Sequence, residues 1–194
     1  MARNIKVCLG LPTSGTMKTK TVFSILRMIK HSSFKYDIVT KESSILHWSR
    51  EHIVKQAIEG KCTHVLFIDS DMFFDADTAD RLLKRDKDII GVPAHLRQLP
   101  LTSTIKIHTD DGQIIKEETP DGLLKCAAVG AGILLIKTSV FEKIKEPWFF
   151  WETNDKGEVV TGEDNWFCRE ARRAGFDIWC DTTVVVKHIG DFFF

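Results

Sequence analysis

The alternation of short apolar runs with amphipathic segments over the first 90 residues constrains the fold more than any other feature of the sequence. Four apolar runs have the composition of buried β-strands: residues 5–11, 38–39, 64–68 and 89–90. The segments between them repeat apolar side chains at helical spacing: about residues 19–30, 43–59 and 77–85. Strands and helices in this order are typical of an α/β fold with a mostly parallel, doubly wound sheet.

The second half of the chain has a different pattern, in which strands are joined by short turns. Strands are predicted at residues 105–108, 114–118, 124–129, 133–137, 176–179 and 184–187, with turns at 110–112, 130–132 and 154–157. Ser139 and Glu142 form a predicted capping box, and a longer helix is predicted from Glu163 to Ala174, before Gly175. We therefore expect one α/β domain, residues 1–194, with a small antiparallel part in its second half.

Composition and charge exclude several classes of protein. Lys plus Arg and Asp plus Glu both number 27, so the net charge is zero, whereas general polyanion binders are usually basic. No apolar stretch approaches the roughly 18 residues of a membrane span, and the N-terminus lacks a signal-peptide core, so we expect a cytoplasmic protein without a transmembrane segment. The five cysteines show no CxxC spacing, which predicts buried, reduced thiols.

The sharpest functional signal is the segment HVLFIDSD, residues 64–71, in which an apolar run leads into two carboxylates. Ligands of open α/β sheets bind beyond the carboxyl ends of the strands, so Asp69 and Asp71 are expected at the mouth of a cleft. Carboxylate oxygens are the ligands that Mg²⁺ and Mn²⁺ prefer, often together with substrate phosphates. Because Asp75 and Asp77 are available to cap the following helix, Asp69 and Asp71 are left without a structural task.

Two further motifs lie in the second half. In TGEDNWFC, residues 161–168, two adjacent acids open a helix; the helix dipole favours acids there, so stabilisation of the helix is the alternative to catalysis. His188 follows an apolar strand, whose end we expect at the same edge of the parallel sheet, although a structural role is more common for a single histidine. Residues 148–151 form an aromatic run, which suits sugar or base stacking, although core packing is the more common use.

Together these motifs resemble the GT-A glycosyltransferases, particularly the small family 2-like members. Those enzymes have an apolar strand that ends in DxD, an ED motif that opens a later helix, and a late histidine. The stretch GEDNWFCREARRAG, residues 162–175, is similar to the family's ED motif, and Pro12-Thr13 resembles its nucleotide-contacting turn. The resemblance spans about residues 7–190. The chain differs from larger members in being short, with little after His188, so the acceptor is not indicated.

The resemblance implies a metal-dependent transfer of a sugar from a nucleotide-diphosphate sugar, with UDP as the expected nucleotide, to a hydroxyl acceptor. It implies that Asp69, Asp71 and His188 hold Mn²⁺ or Mg²⁺, and that Asp164, with Glu163 second, is the catalytic base. The residues expected to contact the donor are Pro12, Thr13, Arg50, Asp69, Ser70 and Gly132. A nucleotide-binding half is expected at about residues 1–91, and an acceptor and catalytic half at about 92–194.

Several alternatives stay open. Arg50 could contact the nucleotide or its phosphates, or it could be an exposed arginine on the surface of its helix. The acceptor is open between a glycan, a protein, a small molecule and a modified nucleic acid, and so is assembly into a homo-oligomer. A nucleotidyltransferase shares the fold and carries a glycine-rich basic loop, where this chain has Gly15, Lys18 and Lys20. A phosphohydrolase of the haloacid-dehalogenase type also has DxD after an apolar strand, but Phe73 stands where that family has Thr.

Overall fold

The computed structural model describes residues 5–94, 107–108, 114–115 and 122–190. The helices in these ranges are α1 (Thr19–His31), α2 (Leu46–Glu59), α3 (Thr78–Lys84), α4 (Thr138–Phe141) and α5 (Glu163–Arg173). The strands are β1 (Lys6–Thr13), β2 (Lys35–Glu42), β3 (His64–Ile68), β4 (Met72–Phe74), β5 (Ile89–Gly91), β6 (Ile107–His108), β7 (Ile114–Ile115), β8 (Leu123–Cys126), β9 (Ile133–Lys137), β10 (Glu152–Thr153), β11 (Val159–Thr161), β12 (Ile178–Asp181) and β13 (Val186–His188). In this part of the chain, no helix has the length and apolar character needed to cross a membrane. The turn predicted at residues 110–112 lies outside the described residues.

Seven strands form the central sheet, in the order β2-β1-β3-β9-β5-β12-β8. β1, β2, β3, β5 and β12 run in one direction, whereas β9 and β8 run in the opposite direction. The predicted α/β fold, with a mostly parallel sheet and an antiparallel part in the second half, is therefore confirmed. The two strands on either side of residues 130–132 do not pair with each other, because β9 lies between β3 and β5 while β8 lies at the edge beside β12.

The strands of the central sheet bury side chains on both faces, because successive residues of a strand point to opposite sides. On β3, Val65 and Phe67 belong to the core cluster that includes residues of α2, α4 and α5. Leu66 and Ile68 belong to the cluster that includes residues of α1 and α3. Each fully buried aliphatic or aromatic side chain is worth about 1.5–3 kcal/mol, so both helical layers hold the sheet in its register.

The last predicted strand does not join the central sheet. β13 pairs antiparallel with β4, a short strand that the sequence analysis did not predict, and His188 lies opposite Met72. Met72, Phe74 and Val186 are buried in one core cluster, which explains why these short strands pair here. The expectation that the strand before His188 belongs to the parallel sheet was wrong. His188 nevertheless lies beside residues 69–71, here named the DSD segment, because β4 begins directly after Asp71.

Two predicted helix caps were also wrong. α4 begins at Thr138, before Ser139, and its start has no side-chain capping hydrogen bond, so Ser139 and Glu142 form no capping box. Asp77 makes no side-chain capping bond to α3 either. Both helices are short and packed on the core, so burial rather than capping holds their first turns in place.

All five cysteines are buried and unpaired, as predicted. Burial raises the pKa of the Cys8, Cys126 and Cys168 thiols to about 12, so these side chains stay protonated at neutral pH. Protonated, buried thiols are poor nucleophiles and poor metal ligands. The chemistry of the chain therefore depends on other side chains.

α2 packs closely against β1 at Gly10. A Cβ atom at this position would lie 2.6 Å from Cγ2 of Ile53 and 3.1 Å from Cδ1 of Phe67, so the present spacing of helix and strand requires glycine. Arg50 lies about one helical turn before Ile53, so both side chains are on the buried face of α2.

Gly10→Ala should therefore lower the free energy of unfolding by about 1–3 kcal/mol, because the added methyl group overpacks this contact. Urea denaturation measures the effect. Gly190→Ala is the matched control, since a Cβ there meets nothing within 4 Å and the change should stay within about 0.5 kcal/mol. Equal stability of the two variants would contradict the close packing of α2 on β1.

Candidate active site

Several chain segments meet at one edge of the central sheet, the edge at which β1 and β3 end. Asp69 follows β3, and its backbone N–H donates to the carbonyl of Gly132 (2.9 Å), because the antiparallel strand β9 starts beside the end of β3. α2 leads into β3 and α5 leads into β12, so both helices begin at this edge. The first two turns of these helices carry Arg50 and Glu163.

The Arg50 side chain is buried at this edge, with only 1% of the residue exposed. Its Nη2 lies 2.8 Å from Oδ1 of Asp69, and its Nε lies 3.6 Å from Oε1 of Glu163. Nη1 donates to the carbonyl of Ala131 (3.4 Å), and the guanidinium carbon lies 5.2 Å from the ring centre of Phe67. One side chain therefore contacts the DSD segment, the Gly-Ala-Gly turn (residues 130–132) and the pair Glu163-Asp164, here named the acidic motif.

Neighbouring carboxylates stabilise the positive charge of Arg50. Burial alone lowers the pKa of Arg50, but the carboxylates of Asp69, Glu163 and Asp164 outweigh this effect and raise the pKa above its ordinary value. The exposed position considered for Arg50 is therefore wrong. The expectation that Asp69 has no structural task is wrong as well, because a buried guanidinium needs a counter-ion with good geometry.

Asp71 and His188 form a second pair at this edge. The backbone N–H of Ile189 donates to the carbonyl of Asp71 (2.8 Å), which extends the pairing of β13 with β4. Nε2 of His188 lies 4.0 Å from Oδ1 of Asp71. Two atoms that each lie about 2.0–2.3 Å from one ion are at most about 4.6 Å apart, so this spacing is compatible with one shared divalent ion.

The side-chain atoms that could ligate a metal at this edge fit a divalent ion that is bound together with a phosphate. Asp69 is turned toward Arg50, and the described residues hold no group of three or more His, Cys, Asp or Glu side chains arranged for a metal. A carboxylate and an imidazole leave coordination positions for water and phosphate oxygens, as Mg²⁺ sites usually do. The ligand roles of Asp69, Asp71 and His188 stay predictions.

The electrostatics of the edge favour a cation and an anion side by side. Asp69, Glu163 and Asp164 contribute three carboxylates around the Arg50 guanidinium, and Asp71 lies at the same edge beside His188. The N-terminus of α2, whose first turn holds no acidic residue, carries partial positive charge at the same edge, which favours a phosphate. A metal–diphosphate complex combines both kinds of charge.

The two acids of the acidic motif have different surroundings. Glu163 is 8% exposed; its Oε2 accepts a hydrogen bond from Nε1 of Trp151 (2.7 Å), and its Oε1 faces Arg50. Asp164 is more exposed, and its Oδ1 accepts from the backbone N–H of Asn165 (2.7 Å). Both oxygens of Glu163 are thus engaged, whereas Asp164 is accessible from solvent. Trp151 was not predicted as a partner of Glu163, although the aromatic run that contains it is evident in the sequence.

β1 ends at the same edge in Pro12 and Thr13. The Thr13 hydroxyl accepts a hydrogen bond from the backbone N–H of Gly15 (3.1 Å), which closes a tight turn. The backbone N–H of Lys18 then donates to the carbonyl of Ser70 (2.8 Å), so this turn lies directly beside the DSD segment. The predicted nucleotide-contacting residues are therefore neighbours in the fold, and their contact with a nucleotide stays a prediction.

A cavity of about 300 Å³ lies at the opposite edge, where β5 and β12 begin, and it is lined by residues such as Lys87 and Trp179. None of the predicted site residues lines this cavity. We place the candidate site instead at the edge where the parallel strands end, here named the carboxyl edge, because the carboxylates, His188 and the helix N-termini lie there. Ligands of open α/β sheets bind at that edge.

Comparison with known proteins was informative only at the level of structure. No protein-family model and no curated protein matched the chain. A197 from STIV is similar with a TM-score of 0.66 and 18% identity, over 96% of this chain and 86% of its own. GalNAc-T7, solved with UDP, GalNAc and Mn²⁺, is similar with a TM-score of 0.59 and 9% identity, over 99% of this chain and 45% of its own. The inositol-1-phosphate CTP transferase from T. maritima has a TM-score of 0.50 and 9% identity, over 97% of this chain and 90% of its own.

These likenesses show that the chain has the GT-A fold, which glycosyltransferases and nucleotidyltransferases share. The chain spans less than half the length of GalNAc-T7 but most of the length of the other two proteins. At these identities the comparison shows the fold alone.

Arg50→Met should lower the free energy of unfolding by about 3–5 kcal/mol, because it leaves Asp69 and Glu163 facing each other without a buried cation. Arg169→Met is the matched control. It removes a more exposed ion pair with Glu152 (2.8 Å) and should cost at most about 1 kcal/mol. Urea denaturation of both variants makes the comparison, and losses of equal size would contradict the central position of Arg50.

Proposed function

We propose that the chain is a metal-dependent glycosyltransferase, which moves a sugar from a nucleoside-diphosphate sugar to a hydroxyl group of an acceptor, with UDP as the nucleotide. The observation that carries the proposal is the meeting of the Asp71–His188 pair, the Arg50–Asp69 pair and Asp164 at one edge of a GT-A fold. GalNAc-T7, which shares this fold, was solved with UDP, GalNAc and Mn²⁺. That complex supports the choice of nucleotide and metal.

In this proposal Asp71 and His188 are the protein ligands of Mn²⁺ or Mg²⁺, an ion that offsets the charge on a leaving diphosphate when it is bound. The 4.0 Å separation of their side chains supports this role. Asp69 contributes less directly than expected, because its Oδ1 is bonded to Arg50 (2.8 Å). We assign its other oxygen to the ribose or to a water molecule on the ion.

The donor is assigned to residues around the end of β1. Pro12, Thr13 and Ser70 contact the nucleotide in this proposal, because their turns lie side by side at the carboxyl edge. Gly132 leaves room for the donor sugar to approach the backbone. A Cβ at Gly132 would lie 3.2 Å from Sδ of the buried Met72 and 3.8 Å from Oδ2 of Asp69, so a side chain there would crowd the DSD segment.

Asp164 is the proposed base. The acceptor oxygen forms a bond to the anomeric carbon while the bond from that carbon to the phosphate oxygen breaks, and the bonding electrons leave with the nucleoside diphosphate. The acceptor hydroxyl proton passes to the Asp164 carboxylate. Glu163 is the weaker candidate, because Trp151 and Arg50 engage its two oxygens. Arg50 acts as a positioning residue, since it sets the place of both Asp69 and Glu163.

The division of the single domain into two halves also stays a proposal. Residues of about 1–91 supply the nucleotide side, and residues of about 92–194 supply the base and the acceptor side. Gly132 and His188 are exceptions, because β9 and β13 bring these residues of the second half back to the DSD segment.

A nucleotidyltransferase is the second candidate function. The T. maritima CTP transferase shares the fold. The loop that contains Gly15 and Lys18 lies beside the DSD segment through the hydrogen bond from the Lys18 backbone N–H to the Ser70 carbonyl, and Lys20 follows in the first turn of α1. Such an enzyme consumes a nucleoside triphosphate and releases pyrophosphate. A glycosyltransferase releases a nucleoside diphosphate, so the products separate the two functions.

UDP should bind measurably with Mn²⁺ present and much more weakly in EDTA, because the acidic edge repels a diphosphate that lacks its cation. Isothermal titration calorimetry measures both affinities. Asp71→Asn should remove most of the dependence on metal, whereas Asp75→Asn, an exposed carboxylate outside the site, should leave it unchanged. Equal UDP affinity of the native protein with Mn²⁺ and with EDTA would refute the metal role.

Asp164→Asn should lower the rate of UDP release from the UDP-sugar by about 10²–10⁴-fold, because no carboxylate is left to take the proton from the attacking hydroxyl group. UDP affinity should change little, since the group acts on the acceptor. Asp155→Asn, in the exposed turn between β10 and β11, is the control. Near-normal turnover of the Asp164→Asn variant would mean that this acid only stabilises the start of α5.

A further inference from the structure

Five rings form a patch beside the acidic motif, here named the aromatic patch: His47, Trp48, Phe150, Trp151 and Trp166. The His47 ring centre lies 6.2 Å from Trp48, 6.0 Å from Phe150 and 5.1 Å from Trp151. The Phe150 ring centre lies 5.1 Å from that of Trp166. The patch is open to solvent, since 61% of Trp48 and 40% of Phe150 are exposed.

Core packing accounts for only part of the aromatic run that supplies this patch. Trp148 and Phe149 are buried, and Phe149 stacks on Phe167 with a centroid distance of 4.9 Å. Phe150, the next residue, is 40% exposed, and its ring, like that of Trp48 on α2, lies near the His47 ring. Leaving large rings in water forgoes about 25 cal/mol for each Å² of apolar surface, and clusters of such rings mark binding sites.

The aromatic patch is continuous with the candidate active site. Nε1 of Trp151 donates to Oε2 of Glu163 (2.7 Å), so the patch is bonded to the acidic motif itself. Trp48 lies in the first turn of α2 and Trp166 in the first turn of α5, and both helices begin at the edge that holds the candidate site. A ligand on the patch would therefore reach the side of the site that holds the proposed base.

The rim of the patch combines ring faces with hydrogen-bonding groups. The guanidinium carbon of Arg169 lies 4.7 Å from the ring centre of Trp166, and Arg169 pairs with Glu152 (2.8 Å). Thr161 also donates to Glu152 (2.7 Å). Ring faces bordered by carboxylate, guanidinium and hydroxyl groups match a ligand that has one apolar face and hydroxyls at its edge. A pyranose ring has this form.

We propose that the aromatic patch is the acceptor subsite and that it binds a pyranose ring over Trp48 and Phe150, so that the acceptor is a carbohydrate or a glycoconjugate. The acceptor role rests on the proposed function, because it requires Asp164 to act on a hydroxyl of the bound sugar. Saccharide binding by the patch can be measured without donor or metal, so the two ideas can fail separately.

Saturation-transfer-difference NMR tests the proposal, with the methyl glycopyranosides of glucose, galactose, mannose and N-acetylglucosamine as probes and mannitol as an acyclic comparator. At least one glycoside should receive saturation on its ring C–H protons, and mannitol should not. Trp48→Ala should weaken that binding by about tenfold, the scale of a lost ring stack, and Trp48→Phe should retain most of it. Phe23→Ala is the matched control, because Phe23 is 59% exposed on α1, against the other face of the sheet.

Three results would overturn the proposal. The first is the absence of signal from all four glycosides while UDP still binds with Mn²⁺. The second is binding that is equal in Trp48→Ala and Phe23→Ala. The third is a loss of UDP affinity or of self-association in Trp48→Ala with saccharide binding unchanged, which would assign the patch to the nucleotide or to a second copy of the chain. Failure of UDP binding alone would instead count against the proposed function.

Discussion

The buried guanidinium of Arg50 is the interaction on which the candidate site depends. Placing a charged group at 1% exposure is costly unless it is paired, and here Asp69 and Glu163 supply the counter-charge from distant parts of the chain. The pairing has two consequences. It engages one oxygen of Asp69 with the guanidinium, and it holds Glu163 on the inner side of α5, which leaves Asp164 as the more accessible acid of the motif.

Topology explains why these groups meet. In a parallel sheet, each helix that leads into a strand begins at the edge where the parallel strands end, so α2 and α5 both begin at the carboxyl edge. The antiparallel strand β9 starts at that edge and brings the Gly-Ala-Gly turn beside Asp69. β13 adds His188 through its pairing with β4. Acidic side chains, an imidazole and two helix N-termini therefore share one small region without being close in sequence.

Much of the fold could be predicted from the sequence, because the periodicities of strands and amphipathic helices are local signals; the helix stop at Gly175 (φ +90°) is one example. The carboxyl-edge position of Asp69 followed from the same reasoning. The burial of Arg50 could not be predicted, because it depends on Glu163, which only the tertiary fold brings near. The pairing of β4 with β13 was missed because three-residue strands are too short to show a period. The Trp151–Glu163 hydrogen bond was missed because an aromatic run alone does not indicate which of its rings are buried.

The most direct test of the central claim is a product assay in which UDP-, GDP- and CMP-sugars, and separately nucleoside triphosphates with sugar 1-phosphates, are incubated with the protein and Mn²⁺. A glycosyltransferase site built on Asp71 and His188 predicts release of UDP from a UDP-sugar, its loss in EDTA, and its loss in His188→Ala but not in Lys187→Ala, a change at an exposed neighbour on β13. Release of pyrophosphate from a nucleoside triphosphate, or release of UDP that persists in EDTA and in His188→Ala, would contradict the account.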